Sequence, residues 1–354
     1  MPSAYIAINP SINLSQMTIV PKKILVIKLR LIGDLIISVP AYRTIKENFP
    51  DTHLSVIVEK GFEAVLENNP HVDKIIVFDK TKGFFHLVSL ILNLRKEAYD
   101  WVIDFHGGPT SGLLTLFSGG KLTVGYGKRK FYYQKHIHFL RKGLNARQFY
   151  LKVLQELGLT INKENTELFV AEETTKNIRK KLFEKGISGS FILIHAAVKK
   201  RSEEWQPEKY AELIKRIETE LKVAVVLSCG PSQENQLKNI ELLLDTPPVM
   251  FKGELHLREF IALVEESKAL ISYDSSPVHI AAAFEKPVVA LYGTISPENW
   301  GYQYENYCSV FVPDLECRST CFQNKLPECH QGLSLCMTSI TVEEVFNHVK
   351  KMVS

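Results

Sequence analysis

The sequence predicts an α/β protein of two doubly wound, Rossmann-like domains, each a parallel sheet with helices on both faces. Three observations carry this prediction. At 354 residues the chain can build two cores of roughly 150 to 180 residues each. Its composition, 45% hydrophobic and 23% charged, is globular and excludes a fibrous or disordered protein. Short aliphatic runs alternate with helical spacing twice along the chain, the pattern of parallel strands joined by crossover helices.

In the first half, Lys23 to Lys28 (KILVIK) reads as a strand that runs into Gly33-Asp34 and a helix carrying Leu35, Ile36, Val39, Tyr42 and Ile45. His53 to Val58, Lys74 to Phe78 and Trp101 to Phe105 (WVIDF) are the next strands, with helical stretches at Gly61 to Glu67 and Phe84 to Lys96. Asn145 to Leu157 is a helix leading toward the second domain. The pattern then restarts with the strand Phe191 to His195 (FILIH), the helix Pro207 to Leu221 and the strand Val223 to Ser228. Helix Leu257 to Glu266, strand Ala269 to Tyr273, helix Pro277 to Phe284, strand Val288 to Tyr292 and a final helix, Thr341 to Met352, complete it. The expected division is a loosely ordered tail over 1–22, a first domain over 23–185 and a second over 186–340. Segment 341–354 is expected to pack back on the first domain, and the two domains to face each other across a cleft.

No apolar stretch approaches the ~20 residues needed to span a bilayer. Asn9, Pro10, Asn13 and Gln16 interrupt the first 22 residues, which do not read as a secretory signal, so a cytoplasmic protein is expected. The net charge of +4 is unevenly divided. Residues 1–170 hold 22 Lys+Arg against 14 Asp+Glu, giving +8, and the remainder 21 against 25, giving −4. The first half therefore suits an anionic partner, although many of those charges are simply a solvated surface.

In doubly wound sheets, ligands bind beyond the carboxyl ends of the strands, where turns feed helix N-termini that favour anions. Four places meet that description: Gly33-Asp34, His195 to Arg201, Gly230 to Glu234, and Asp274 to His279. Together with YDWVIDFHGG at Tyr99 to Gly108, GYGKRK at Gly125 to Lys130, SYDSSPVHIAAAFEKPVVALYGTISPENW at Ser272 to Trp300, and CHQ at Cys329 to Gln331, they carry a family likeness. From about Lys22 to Val349 the chain resembles the ADP-heptose:lipopolysaccharide heptosyltransferases, the family 9 glycosyltransferases of two-domain GT-B architecture.

The resemblance implies transfer of a heptose, with inversion, from an ADP-sugar to the lipopolysaccharide inner core at the cytoplasmic face of a Gram-negative inner membrane. It implies no bound metal or cofactor and no nucleic-acid partner, with the acceptor on the N-terminal domain and the nucleotide sugar on the C-terminal one. By similarity Asp34 is the general base, where the plainer alternative is a helix-capping Asp. Ser275 and Ser276, at a helix start with Pro277 in its first turn, would hold the diphosphate together with His279, while Asp274 orients the loop or the sugar. Ala196 and Ala197 line the donor loop, Glu234 would accept from ribose hydroxyls, and Leu255 would lie near adenine. On the acceptor side stand Gly33, Asp104, His106 and Gly107, with Lys128, Arg129 and Lys130. The last three open a basic cluster with Lys135, His136, His138, Arg141 and Lys142, interleaved with Phe131, Tyr132 and Tyr133; by composition it suits lipid phosphates and the membrane surface or, equally, a nucleic acid, and the resemblance favours the lipid.

Two positions depart from the family pattern. Ser276 stands where a glycine is usual, and Glu203, two residues before Trp205, where a lysine is usual. Lys199, Lys200 or Arg201 would then have to neutralise the leaving group, and a different donor, or a non-catalytic binding protein on the same fold, stays open. Cys317, Cys321, Cys329 and Cys336 have only one tightly spaced pair, which leaves a metal site open against reduced thiols in a tail loop. A nicotinamide-type oxidoreductase lacks its glycine signature, since only Gly33 lies between Lys28 and Val39.

Overall fold

The computed structural model describes residues 20–138, 144–198, 203–318, 321, 329 and 334–353. The expected tail over 1–22 falls mostly outside them. The chain divides into two compact units, Met1–Asn165 and Thr166–Ser354.

The first unit runs β1 (Lys23–Ile27), α1 (Ile32–Ile36), α2 (Val39–Asn48), β2 (His53–Glu59), β3 (Lys74–Phe78), α3 (Gly83–Glu97), β4 (Trp101–Asp104), α4 (Pro109–Phe117), β5 (Leu122–Gly125), β6 (Lys135–His136) and α5 (Ala146–Gln155). Its six strands are parallel in the order β3-β2-β1-β4-β5-β6, with Ile24 between Leu54 and Trp101. Ile24 to Ile27 are wholly buried, which is why this strand is a continuous aliphatic run instead of an alternating one. The helix expected after Gly33-Asp34 is two helices. Pro40 has no N–H to donate and sits in the first turn of α2, so the chain breaks at Ile37-Ser38 before it. Gly61 to Glu67 forms only a single 3-10 turn, Glu63–Val65.

The second unit runs α6 (Glu172–Glu184), β7 (Phe191–His195), α7 (Pro207–Arg216), β8 (Ala224–Cys229), α8 (Glu234–Glu241), β9 (Val249–Lys252), α9 (Leu257–Glu266), β10 (Ala269–Tyr273), α10 (Ser276–Ala283), β11 (Val288–Tyr292), α11 (Pro297–Trp300), β12 (Tyr307–Phe311), α12 (Leu335–Thr338) and α13 (Val342–Val353). Its order, β12-β11-β10-β7-β8-β9, repeats the first unit's topology strand for strand, again all parallel.

Two expectations about the division are corrected. The boundary falls after Asn165, not at 185, because α6 packs on α9 through Arg179–Glu266 at 2.5 Å and Lys181–Glu259 at 2.6 Å. The final helix, expected on the first domain, buries Val342, Val345, Phe346, Val349 and Val353 in the second unit's core with Trp205 and Ile271. Arg216 secures it, its guanidinium 3.9 Å above the Phe346 ring and 2.6 Å from Glu343.

In each sheet the strand order reverses once, between β1 and β4 and between β7 and β10, and the crevice beyond such a reversal is where this fold binds ligands. Gly33-Asp34 and His106 follow β1 and β4, and Ala196 and Asp274 follow β7 and β10.

Candidate active site

In the first unit, Gly33 is buried in the first turn of α1, and Asp34 is its third residue. Asp34 is therefore not at the capping position, yet half of it does a cap's work: Oδ2 accepts from the Leu31 N–H at 3.3 Å. Oδ1 faces inward, 3.6 Å from Nζ of Lys28 and within 3.4 Å of the Tyr150 hydroxyl, which donates to it. Lys28, the last residue of the KILVIK run, is 4% exposed and lies 5.2 Å from the Tyr150 ring. Neither partner was among the residues singled out from sequence. A lysine closing a fully buried strand was the readable signal for Lys28, and nothing local marks Tyr150, which lies 116 positions from Asp34.

Asp104 requires a correction. It is 0% exposed, so its carboxylate is closed off from solvent, and it accepts from the backbone N–H groups of His106 (2.8 Å) and Gly107 (2.9 Å) and from the Tyr133 hydroxyl (2.8 Å). Burial nonetheless raises its carboxyl above the usual range. Asp104 thus holds the loop after β4 in shape. Gly107 sits at φ +69°, where a side chain would be strained and a Cβ would press on Tyr126.

His106 is half-buried at the mouth of this loop, and its Nδ1 is buried without a hydrogen-bond partner among the described residues. Burial, then the positive charges of Lys28 and Arg30, push its pKa down to about 4, so the ring is neutral near pH 7. Asp34 follows β1 and His106 follows β4, and these strands are paired neighbours with Ile27 opposite Asp104, so the two residues lie at the same end of adjacent strands.

The basic cluster separates into two groups. Lys128, Arg129 and Lys130 are exposed with Phe131, while Lys135 donates to the Glu156 carbonyl at 2.7 Å and His136 bonds the Gly127 carbonyl at 2.9 Å. Tyr132 and Tyr133 are buried beneath the exposed group, their rings filling the spaces left by Gly112 and Gly125. Arg141 and Lys142 lie outside the described residues.

In the second unit, Ala196 and Ala197 are buried just beyond β7. Gln236 fixes the loop there, accepting from the Val198 N–H at 2.9 Å and donating to its carbonyl at 2.8 Å. Lys199, Lys200 and Arg201 lie outside the described residues. Glu234 is exposed at the start of α8, and Leu255 is half-buried after β9. The two loops touch, since a Cβ on Gly253 would meet the Gly230 carbonyl at 3.1 Å.

Asp274 leaves β10 half-buried, with Ser275 just before α10, its hydroxyl donating to the Tyr273 carbonyl at 3.3 Å, and Ser276 as the first residue of the helix. Ser276 has no positive φ, so a serine fits here without strain and the departure from glycine costs the backbone nothing. His279 is buried and bonds the Tyr302 hydroxyl through Nδ1 at 2.9 Å. Glu203 is built into this site: its carboxylate accepts from Thr294 Oγ1 at 2.7 Å. Burial and the charge of Glu203 push the Asp274 pKa up to about 7.

Among the described residues, no group of three or more His, Cys, Asp or Glu is arranged to hold a metal ion. All six cysteines are thiols. Burial raises the Cys336 pKa to about 11, helped by Cys329, Cys317 and Cys321. His330 and Gln331 lie outside the described residues.

The family model described as glycosyltransferase family 9 (heptosyltransferase) matches residues 87–330. Lipopolysaccharide heptosyltransferase 3 of Escherichia coli K12 is 27% identical over 319 residues, 84% of this chain and 88% of that protein. The lipopolysaccharide core heptosyltransferase OpsX of Haemophilus influenzae is 23% identical over 343 residues, 94% of this chain and 97% of that protein. A family 9 glycosyltransferase from Veillonella parvula superposes with a TM-score of 0.86 at 21% identity, covering 94% and 97% of the two chains. E. coli ADP-heptose lps heptosyltransferase II superposes at 0.78, also 21% identical, covering 94% and 98%.

Proposed function

The chain belongs to glycosyltransferase family 9, the heptosyltransferases, and on that premise we propose that it moves a heptose from ADP-L-glycero-D-manno-heptose to the lipopolysaccharide inner core. The acceptor is Kdo-lipid A or a heptosylated form of it. The reaction inverts the anomeric centre without a metal, and the enzyme works peripherally at the cytoplasmic face of the inner membrane.

The observation that carries this reading is the seating of Asp34. One carboxylate oxygen is tied to the start of α1, and the other stands with Lys28 and Tyr150 beside the His106 loop. A carboxylate fixed in this way is oriented to take the proton of an acceptor hydroxyl as that hydroxyl attacks the anomeric carbon. The proton grows more acidic as the new C–O bond forms at an oxocarbenium-like centre. His106, neutral near pH 7, offers the acceptor a hydrogen-bonding ring without charge.

The bond to ADP breaks as the new one forms, and the departing diphosphate needs donors already in position. Ser275 and Ser276 supply hydroxyls and backbone N–H groups at the start of α10, whose dipole favours an anion. Asp274, half-protonated near pH 7, repels that anion less than an ordinary aspartate would.

Glu203 supports a second reading, a family 9 enzyme with another nucleotide-sugar donor. Its hydrogen bond to Thr294 holds a carboxylate where a diphosphate-neutralising lysine is usual in the family. A panel of ADP-, UDP- and GDP-sugars, each offered with and without Kdo-bearing lipid A, decides between them. Acceptor-dependent release of ADP from ADP-heptose alone is expected. Release from a different donor favours the second reading, and no release by folded protein points to a binding protein.

A further inference from the structure

The first unit's sheet is all parallel, so the segments that follow its strands emerge at one edge. Asp34 and His106 follow the two central strands there. The segment after β3, Lys80 to Phe85, carries two adjacent phenylalanines at the start of α3 that are 71% and 86% exposed, among the most exposed large apolar side chains described. The segment after β5 carries Lys128, Arg129, Lys130 and Phe131, the last 68% exposed. Four strand spacings separate these two flanks, about 19 Å. An aromatic tip with neighbouring lysines thus stands on each side of the candidate catalytic aspartate.

The β3 tip is also tied to the catalytic loop. The buried Glu59 carboxylate binds Arg30 on one oxygen, at 3.9 Å, and Lys80 on the other. Lys60 pairs with Asp79 at 3.1 Å, and the Asp79 carboxylate accepts from the Thr81 N–H and hydroxyl, which shapes the turn into α3. Lys82 forms no ion pair among the described residues. With the nearby acids committed to these bonds, the tip presents apolar rings and uncompensated positive charge together. That combination matches the boundary of an anionic bilayer, where rings enter the acyl region and lysines meet headgroup phosphates.

We infer that this edge docks on an anionic phospholipid bilayer, with Phe84 and Phe85 inserted below the headgroups and Phe131 as a second point of contact. The inference rests on the lipid-acceptor reading for why this edge meets a membrane, and goes beyond it by naming the residues that enter it. Docking in this way presents Asp34 to an acceptor that never leaves the bilayer.

The test is sedimentation of the full-length protein with phosphatidylglycerol-rich vesicles and with pure phosphatidylcholine vesicles, no sugar donor being present. The wild type should bind the first and bind the second far more weakly. The double variant Phe84→Ser/Phe85→Ser should lose about tenfold or more of the partitioning. Leu92→Ser, which removes an exposed apolar side chain about 11 Å farther along the same helix, should lose none. The double variant should keep its melting temperature and its transfer to a deacylated, water-soluble acceptor. In Phe85→Trp, fluorescence should shift to the blue with vesicles and be quenched by brominated lipid.

Wild-type binding that the double variant retains, or an unquenched Phe85→Trp probe, overturns the proposal, as does a self-associating protein whose dimer is lost in the double variant while vesicles are ignored. A protein that transfers heptose to no acceptor, yet binds vesicles through these rings, overturns the heptosyltransferase reading and upholds the surface.

Discussion

Asp34 shares its surroundings with a buried lysine, a tyrosine and a neutral histidine, and each neighbour has its own expected effect. Asp34→Asn keeps the shape and the Leu31 contact but cannot take a proton. It should lower kcat by roughly 10²- to 10⁴-fold with little change in donor KM or melting temperature. Tyr150→Phe removes only an orienting bond and should cost far less. At the proposed donor site the sign of the pH effect follows from Asp274. Its pKa is raised to about 7, first by burial and then by Glu203, so it is mostly neutral below pH 7 and mostly charged above. Each added negative charge beside Ser275 and Ser276 opposes a diphosphate, so donor KM should rise as pH passes from 6 to 8. Glu203→Gln removes the second cause, and the rise should move to lower pH. A donor KM flat across this range would separate Asp274 from the diphosphate.

At the scale of elements, the exposed basic loop depends on what lies beneath it. Tyr132 fills the space over Gly112, where an added Cβ would overlap its ring. Gly112→Ala should therefore cost on the order of 1 to 3 kcal/mol of stability and raise acceptor KM, both measurable by thermal melts and kinetics on one preparation. Elements that are buried on both faces were legible in the sequence: KILVIK, WVIDF and FILIH each carry a run of at least three consecutive apolar residues, as strands covered on both faces do. The two-residue β6 was not, since its pairing comes from the neighbouring strand and not from its own pattern. The chain could not reveal that α6 belongs to the second unit, because a solvated helix is assigned by partners such as Glu259 and Glu266, some 80 to 90 residues away. The candidate site divides in the same way. Gly33-Asp34 and Asp274-Ser275-Ser276 announced themselves as turns after strands, whereas the inward turn of Asp104 and the Thr294 bond to Glu203 are products of tertiary packing.

For the whole molecule, the uneven charge predicts how salt acts. Residues 1–170 carry +8, and Lys128, Arg129 and Lys130 are exposed on that half, so attraction to an anionic acceptor should weaken as ionic strength shortens the Debye length to about 10 Å and below. Acceptor KM should climb with added salt more steeply than donor KM, and alanine at these three positions should flatten the climb. The repeated strand order of the two units gives each a strand-order reversal of its own, and the proposed function uses the first to take a proton and the second to hold an anion. The most direct test of heptose transfer is to incubate the protein with ADP-heptose and Kdo-lipid A, or its once-heptosylated form, and determine the lipid product by mass spectrometry and NMR. The account predicts one added heptose with an inverted anomeric centre, absent with Asp34→Asn. ADP release with an unchanged lipid, or a product that forms equally well with Asp34→Asn, would contradict it.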